Sequence, residues 1–187
     1  MPVVRGKDIE VLFSASAIAR RNLELAKDIA AHEYTDLLVI SVLKGSFIFA
    51  ADLIRAMHDV GLSPEVEFIF ISSYGAGTTS GEVRVLRDID NDVAGRDVLL
   101  VDDILESGKT LSFARNLMLE RGAKSCSIAV LLDKQMRRQT TLNADYVGFD
   151  CPDYFVVGYG MDVAHAYRQL PFVGVIETAD QAGLPGI

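Results

Sequence analysis

Short runs of apolar residues alternate along the chain with longer segments in which apolar positions recur at helical spacing. The short runs predict strands at 37–42, 66–71, 98–101, 125–132, 146–149 and 155–157, because a strand buried on both faces reads as a continuous apolar stretch. Helical spacing predicts helices from 14 or 16 to about 31, over 46–60 and over 111–121. Because such alternation is typical of parallel sheets, the pattern predicts an α/β fold with helices flanking a mainly parallel central sheet.

Three chemically distinct features fall at the ends of predicted strands. Lys44 follows the strand at 37–42, Asp102 and Asp103 follow the strand at 98–101, and Phe155 lies in the last short strand. In open α/β sheets, ligands bind beyond the carboxyl ends of the strands. These residues are therefore expected to converge on one crevice.

The segment 98–110 is the most informative part of the chain. Four aliphatic residues lead into the adjacent carboxylates of Asp102 and Asp103, and a Ser-Gly-Lys-Thr turn at 107–110 then opens a helix. The N-terminus of a helix favours phosphate, and the glycine allows close backbone approach. Carboxylates beside such a turn would repel phosphate unless they hold hydroxyl groups or a metal ion. A sugar with both a phosphate and free hydroxyls fits this segment.

Two alternatives compete with this interpretation. The first is an ordinary strand–turn–helix whose acidic residues only cap or solvate the turn. The second is a Walker A loop, since 108–110 matches the end of that motif. A Walker A loop places its first glycine where Asp103 stands, and a carboxylate there would face the phosphates. The second alternative is therefore rejected.

Composition excludes several other classes. The 187-residue chain has a formal net charge of −8, whereas nucleic-acid-binding surfaces carry clustered positive charge. No apolar stretch approaches the roughly 18 residues of a membrane span, and residues 1–8 lack the apolar core of a signal peptide. The two cysteines make no disulfide framework, and the three histidines lack metal-ligand spacing. One domain in the cytoplasm, with no nucleic-acid or membrane partner, is expected.

Several separated motifs carry a family resemblance. The segment 101–110 resembles the phosphoribosyl-pyrophosphate (PRPP) motif of type I phosphoribosyltransferases. The segments 41–46, 72–74, 131–134, 146–149 and 155–162 stand in the order and approximate spacing of the hypoxanthine-guanine phosphoribosyltransferase family, and the likeness covers about 11–176. The resemblance implies a type I phosphoribosyltransferase fold in a single domain over 1–187. Its core would cover about 35–145, and the N-terminal segment and about 146–187 would form a small hood over the active site.

The resemblance also implies an activity and its partners. Hypoxanthine, or guanine, and PRPP would yield IMP, or GMP, and pyrophosphate, with Mg²⁺ as the cofactor. Members of the family are usually dimers or tetramers, so a homodimer or homotetramer is expected. Family members also often have a cis peptide bond before the residue equivalent to Lys44.

Roles for individual residues follow from the same resemblance. The PRPP ribose and 5-phosphate would be bound by Asp102, Asp103, Ser107, Gly108, Lys109 and Thr110, and the pyrophosphate by Lys44, Gly45 and Arg168. The purine would be bound by Lys134, Tyr154, Phe155, Val156 and Asp162. Magnesium would be held by Asp162, Asp102 and Asp103. Ser73 and Tyr74 would belong to a lid that closes over the reacting centre.

Glu106 is the residue expected to accept the proton of the purine, and it departs from the aspartate that most members have at this position. The alternative is that Glu106 only orders the phosphate loop. Two purine-site residues also have ordinary alternatives: Lys134 could be a solvated lysine in a basic run, and Phe155 a core residue.

Other functions remain open from the residues alone. The first is a phosphoribosyltransferase that prefers guanine or xanthine. The second is a PRPP-binding regulatory protein on the same fold, which would need a basic face or an added DNA-binding domain. The third is a sugar-phosphate binder without a base pocket, which would have no use for Lys134 and Phe155 together.

Overall fold

A computed structural model describes residues 2–73 and 83–176 of the chain. Six strands form its main sheet, in the spatial order β6 (Val83–Arg87), β5 (Glu65–Ser73), β4 (Leu37–Leu43), β7 (Asp97–Leu105), β8 (Ser125–Asp133) and β9 (Tyr146–Asp150). Every neighbouring pair is parallel except β5 and β6. The predicted mainly parallel central sheet is therefore confirmed.

Three helices cover the two faces of this sheet, as predicted. They are α1 (Ala15–Ala30), α2 (Phe47–Asp59) and α3 (Lys109–Glu120). Apolar residues of α1 and α2 share one buried cluster with one face of β4, β7 and β8, and α3 shares a second cluster with the opposite face. Ser14 caps α1 by accepting a hydrogen bond from the N–H of Ala17 at 3.2 Å. Two apolar layers thus hold the sheet and leave its strand ends open for ligands.

The strand β7 is longer than the sequence pattern predicts. It continues through Asp102 and Asp103 to Leu105 and pairs in register with β8, where Asp102 lies opposite Val130 and Ile104 opposite Leu132. The acidic residues therefore lie in the last paired part of β7 rather than in a loop beyond the strand. Their backbone is fixed by the sheet.

A second, smaller sheet lies beside the strand ends. Its antiparallel strands are β10 (Val156–Val157), β11 (Val173–Val175) and β3 (Glu10–Phe13), in that spatial order. The short strands β1 (Val3–Val4) and β2 (Lys7–Asp8) form a separate antiparallel pair. Segments from both ends of the described chain thus meet beside the main sheet.

No helix among the described residues has the length and apolar character that a membrane crossing would require.

Asp97, the first residue of β7, is a buried carboxylate that ties three segments together. It accepts hydrogen bonds from Ser125 Oγ at 2.7 Å, from the N–H of Thr35 at 2.8 Å and from Lys124 Nζ at 3.1 Å. Burial raises the pKa of Asp97, but these hydrogen bonds and the lysine charge outweigh burial and lower the pKa to about 2. The ionised carboxylate therefore stabilises the fold.

The substitution Asp97→Asn is expected to lower the free energy of unfolding at pH 7 by about 2 kcal/mol, because the pKa falls on folding. The stabilisation is complete above the unfolded pKa of 3.8 and is lost as the pH falls through about 2. Urea unfolding of both proteins at pH 7 and pH 3 measures the difference. If the two proteins differ as much in free energy of unfolding at pH 3 as at pH 7, the lowered pKa of Asp97 is not the cause of the stabilisation.

Candidate active site

A cavity of about 1180 Å³ opens where β4, β5, β7 and β8 end, and the small sheet contributes one of its walls. The predicted site residues that line it are Lys44, Gly45, Asp103, Glu106, Lys134, Tyr154, Phe155, Val156, Asp162 and Arg168. The strand ends singled out by the sequence pattern thus meet at one crevice. Cations and carboxylates alternate around it, which suits a ligand with both phosphate groups and hydroxyls.

The remaining predicted residues lie behind the cavity wall or beside it. Asp102 is only 9% exposed and does not line the cavity. Ser107, Gly108, Lys109 and Thr110 do not line it either, but they directly follow Glu106, which does. They form the turn between β7 and α3, and Gly108 has a φ of 84°, a backbone conformation that favours glycine. α3 begins two residues earlier than predicted, and its N-terminus follows the cavity residue Glu106 by three positions.

Asp102 and Asp103 form a coupled acidic pair. Burial raises the pKa of Asp102 well above its usual range, and the charge of Asp103 raises it further. Burial also raises the pKa of Asp103, although hydrogen bonds and the nearby charge of Arg168 act in the opposite direction. Asp102 Oδ1 accepts a hydrogen bond from the N–H of Asp103 at 2.9 Å. A cation or hydroxyl donor placed beside Asp103 would favour the charged pair.

Close packing joins the loops at Gly45 and Gly160 to the end of β7 beside the cavity. The peptide bond between Leu43 and Lys44 is cis, as the family resemblance implies. A Cβ on Gly45 would collide with the carboxylate of Asp103, and a Cβ on Gly160 would collide with the carbonyl of Gly45. Glycine at both positions therefore lets the loop after β4 lie against the acidic pair.

The family resemblance implies PRPP as the substrate, and Gly45→Ala is expected to raise the KM for PRPP at least tenfold, because the added methyl group must displace the Asp103 carboxylate. Steady-state kinetics at saturating purine measures the change. Gly61→Ala is the control, since Gly61 has open space around its Cβ position and a φ of +88°. That variant costs about 1 kcal/mol of stability and leaves the KM unchanged. An unchanged KM in Gly45→Ala would contradict the packing argument.

Asp162 and Arg168, which both line the cavity, form an ion pair. Arg168 Nη2 lies 2.6 Å from Asp162 Oδ1, and Arg168 Nη1 donates to the carbonyl of Gly160 at 2.6 Å. The other carboxylate oxygen of Asp162 accepts a hydrogen bond from the N–H of His165 at 2.8 Å. These contacts fix the orientation of the Arg168 guanidinium at the cavity.

Glu106 lies between two cations that also line the cavity. Its Oε1 is 3.7 Å from Lys134 Nζ and 3.7 Å from Arg137 Nη1. Lys134 is 6% exposed, and its Nζ donates to the carbonyl of Tyr154 at 2.7 Å. The alternative of a solvated Lys134 is therefore wrong. Phe155 is partly buried beside a small apolar cluster and also lines the cavity, so it combines a core position with an accessible ring.

Arg137 is a cavity residue to which sequence analysis assigned no role. Its Nε lies 2.7 Å from Asp153, and both residues line the cavity. The available signal was its spacing from Lys134, because a 3₁₀ helix at Gln135–Arg137 places positions three apart on the same side. The predicted lid falls largely outside the described residues: Tyr74 lies beyond them, and only the backbone of Ser73, at the end of β5, is described.

The acidic side chains of the cavity can hold magnesium only with the help of other ligands. Among residues 2–73 and 83–176, no three His, Cys, Asp or Glu side chains cluster closely enough to hold a metal ion on their own. Asp103 and Asp162 do line the same cavity. Mg²⁺ is commonly bound by one or two carboxylates together with substrate phosphate oxygens and water. The arrangement therefore fits a magnesium ion that binds together with a phosphorylated substrate.

Comparison with known proteins agrees with this geometry. The chain matches the phosphoribosyl transferase domain family over residues 9–164. It is 42% identical over 177 residues to the hypoxanthine phosphoribosyltransferase of Escherichia coli K12, with 92% of this chain and 98% of that protein covered. It is 47% identical over 176 residues to the hypoxanthine-guanine phosphoribosyltransferase of Bacillus subtilis 168, with 92% and 96% covered.

Solved structures lead to the same family. A structure of the hypoxanthine phosphoribosyl transferase of Trypanosoma cruzi superposes with a TM-score of 0.90 at 38% identity and covers 97% of both chains. One from Staphylococcus aureus superposes with a TM-score of 0.85 at 37% identity and covers 91% of this chain and 92% of that one. The chain belongs to the hypoxanthine(-guanine) phosphoribosyltransferase family.

Proposed function

We propose that this protein is a purine-salvage enzyme that converts hypoxanthine and PRPP into IMP and pyrophosphate, and guanine into GMP in the same way. A purine nitrogen attacks the anomeric carbon of PRPP, the bond from that carbon to the pyrophosphate oxygen breaks, and the purine loses a proton. The single observation that supports the proposal is that Lys44, Asp103, Glu106 and Lys134 line one cavity. Each of these side chains matches one part of the two substrates.

The phosphoribosyl unit is bound by the end of β7 and the turn that follows it. The amides and hydroxyls at 107–110 bind the 5-phosphate at the N-terminus of α3, where the helix dipole favours an anion. Asp103, which lines the cavity, accepts hydrogen bonds from the ribose hydroxyls, and the buried Asp102 supports it from behind through the hydrogen bond from the N–H of Asp103. As pyrophosphate leaves, positive charge develops on the ribose ring, and the Asp103 carboxylate stabilises it.

The leaving group is bound on the opposite side of the cavity. Lys44 and Arg168 balance the charge of the pyrophosphate, and the backbone N–H of Gly45 donates to it. Asp162 and Asp103, which line the same cavity, would hold Mg²⁺ on the same side, whereas Asp102 lies outside the cavity lining and is not placed to hold it. When bound, the ion neutralises part of the negative charge of the pyrophosphate.

The purine binds between Phe155 and the end of β8. Phe155 stacks on the ring, Lys134 Nζ donates to the 6-oxo group, and Tyr154 and Val156 contact the edge of the base. Lys134 is already oriented by the carbonyl of Tyr154 at 2.7 Å. Adenine offers an amino group in place of the oxo group, so Lys134 Nζ would find no acceptor at that position of the base and would face a second donor.

Proton removal and protection from water complete the assignment. Glu106 accepts the proton of the purine. Ser73 and Tyr74 belong to a lid that excludes water from the reactive ribose.

The protein acts in the cytoplasm as a homodimer or homotetramer.

A substrate panel tests the proposal. The protein is incubated with PRPP, Mg²⁺ and hypoxanthine, guanine, xanthine or adenine, and pyrophosphate release is measured. We expect release with hypoxanthine, and a kcat/KM for adenine that is lower by at least about 100-fold. Absence of purine-dependent release would contradict the proposal, and RNA retention in a filter-binding assay would then favour the regulatory alternative.

A further inference from the structure

Arg138 is a largely enclosed arginine just outside the cavity. Its side chain is 12% exposed, and it follows the 3₁₀ helix that begins after Lys134. Its guanidinium pairs with the carboxylate of Asp133, whose side chain is only 9% exposed. Arginine is rarely buried without a specific set of acceptors, so the remaining donors of this guanidinium indicate its purpose.

Those donors bind the backbone that leads into the phosphate turn. Arg138 Nε donates to the carbonyl of Glu106 at 3.0 Å, and Nη2 approaches the carbonyl of Leu105 at 3.4 Å. Nη1 donates to the carbonyl of Leu142 at 2.5 Å, which closes the segment 138–142 around the guanidinium. One side chain thus joins the end of β7 to the segment that follows β8.

The neighbouring residue continues this attachment. The N–H of Gln139 donates to the carbonyl of Ser107 at 2.9 Å. A Cβ on Gly108 would collide with Thr140 Oγ1 and come within 3.2 Å of Arg138 Cδ. The segment 138–140 therefore forms a wall against one side of the phosphate turn.

Because peptide bonds are planar, these contacts fix the direction of two N–H groups in the phosphate turn. In a planar trans peptide the N–H points opposite to the preceding carbonyl. Arg138 binds the carbonyl of Glu106, so the N–H of Ser107 points away from the segment 138–140. Gln139 binds the carbonyl of Ser107, so the N–H of Gly108 also points away from that segment. Across the described ranges, neither N–H donates to another protein group. Both are thus held with their donors directed to the open side of the turn.

We propose that Arg138 is a positioning residue that orients the amides of the phosphate turn for the 5-phosphate of PRPP. The inference rests on the proposed function and adds to it a residue that does not touch substrate. Arginine suits this role because its planar fork reaches several acceptors at once, whereas lysine is a single point charge. Lysine at 138 can keep the ion pair with Asp133 but not the whole set of carbonyls.

The test compares two ligands that occupy different ends of the site. Binding of ribose 5-phosphate and of pyrophosphate with Mg²⁺ is measured by titration calorimetry on the unaltered protein, Arg138→Gln and Arg138→Lys. We expect Arg138→Gln to weaken ribose 5-phosphate binding at least tenfold and to leave pyrophosphate binding within twofold. Arg138→Lys should recover part of the loss. Arg138→Gln leaves the buried carboxylate of Asp133 without its cation. The double variant Asp133→Asn with Arg138→Gln removes that uncompensated charge. In the double variant, too, we expect ribose 5-phosphate binding to weaken at least tenfold and pyrophosphate binding to stay within twofold.

Arg121→Gln is the matched control. Arg121 lies at the opposite end of α3 and binds Asp88 through both Nη1 at 2.8 Å and Nη2 at 2.5 Å. It tests whether loss of an arginine–aspartate pair by itself affects the site, and both affinities should stay unchanged.

Two results would overturn the inference. One is ribose 5-phosphate binding within twofold of the unaltered protein in folded Arg138→Gln or in the double variant. The other is a parallel loss of both ligands, which would indicate general damage rather than a positioned turn. If the unaltered protein binds no ribose 5-phosphate, the proposed function itself fails, and that outcome is visible before any variant is compared.

Discussion

Replacing Glu106 by glutamine is expected to lower kcat about 100- to 1000-fold while the KM for PRPP changes less than about threefold, because the amide keeps the shape but cannot accept a proton. Glu106 lines the cavity, and its Oε1 lies 3.7 Å from Lys134 Nζ. The carboxylate is thus next to the group that is proposed to hold the purine. Steady-state kinetics with hypoxanthine and PRPP measures both constants.

Glu106→Asp is the matched control for this prediction. It retains a carboxylate and shortens the side chain by about 1.5 Å, one carbon–carbon bond. Since most family members have aspartate at this position, kcat in Glu106→Asp should remain within about tenfold of the unaltered protein, although base positioning is sensitive to such shifts. Near-normal turnover in Glu106→Gln with unchanged PRPP affinity would remove Glu106 from the catalytic role. Glu106 would then only order the phosphate loop.

The fold was predictable where local sequence alone determines structure. Six of the seven residues of β4 are buried and all but Ser41 are apolar, so the strand is evident from local sequence. The helix α1 has a serine cap and a regular apolar stripe, and its observed start differs from the prediction by at most one residue. Both elements can be predicted without knowing which other elements they pack against.

Elements that depend on distant partners were not predictable in this way. The strands β3 and β11 have four and three residues, and β3 is partly exposed throughout. They pair with each other although they lie near opposite ends of the described chain, as in the match of Val11 with Gly174. The extension of β7 through two aspartates has the same cause, because backbone pairing with β8 outweighs the low strand propensity of aspartate.

The residues of the candidate site were likewise predictable only where local sequence determines their position. Residues at strand ends, such as Lys44 and Asp103, follow from the rule that ligands bind at the carboxyl edge of a parallel sheet. Arg137 and Arg138 belong to the same basic run as Lys134, and only the folded chain separates them. Arg137 faces the cavity, whereas Arg138 turns inward to the backbone of the phosphate turn. Composition cannot distinguish such neighbours, because the difference arises from the turn after β8.

Replacing Lys134 by methionine is expected to lower kcat/KM for hypoxanthine about 1000-fold and to reduce the preference for hypoxanthine over adenine by at least about 100-fold. Methionine replaces the apolar stem of the buried lysine and ends one atom short of the ammonium position, so it offers no donor to the 6-oxo group. It also removes the hydrogen bond to the carbonyl of Tyr154 and one of the two cations beside Glu106. The preference, measured as the ratio of the two kcat/KM values, is therefore the more specific readout.

Lys124→Met separates specificity from stability. Lys124 also pairs with a buried carboxylate, that of Asp97 at 3.1 Å, but it does so where β7 and β8 begin, far along the strands from the cavity. Its removal should lower the melting temperature and leave the preference between the two purines unchanged. If Lys134→Met keeps the full preference for hypoxanthine, the 6-oxo group is recognised elsewhere in the cavity. Lys134 would then be a structural lysine that joins β8 to the backbone of Tyr154.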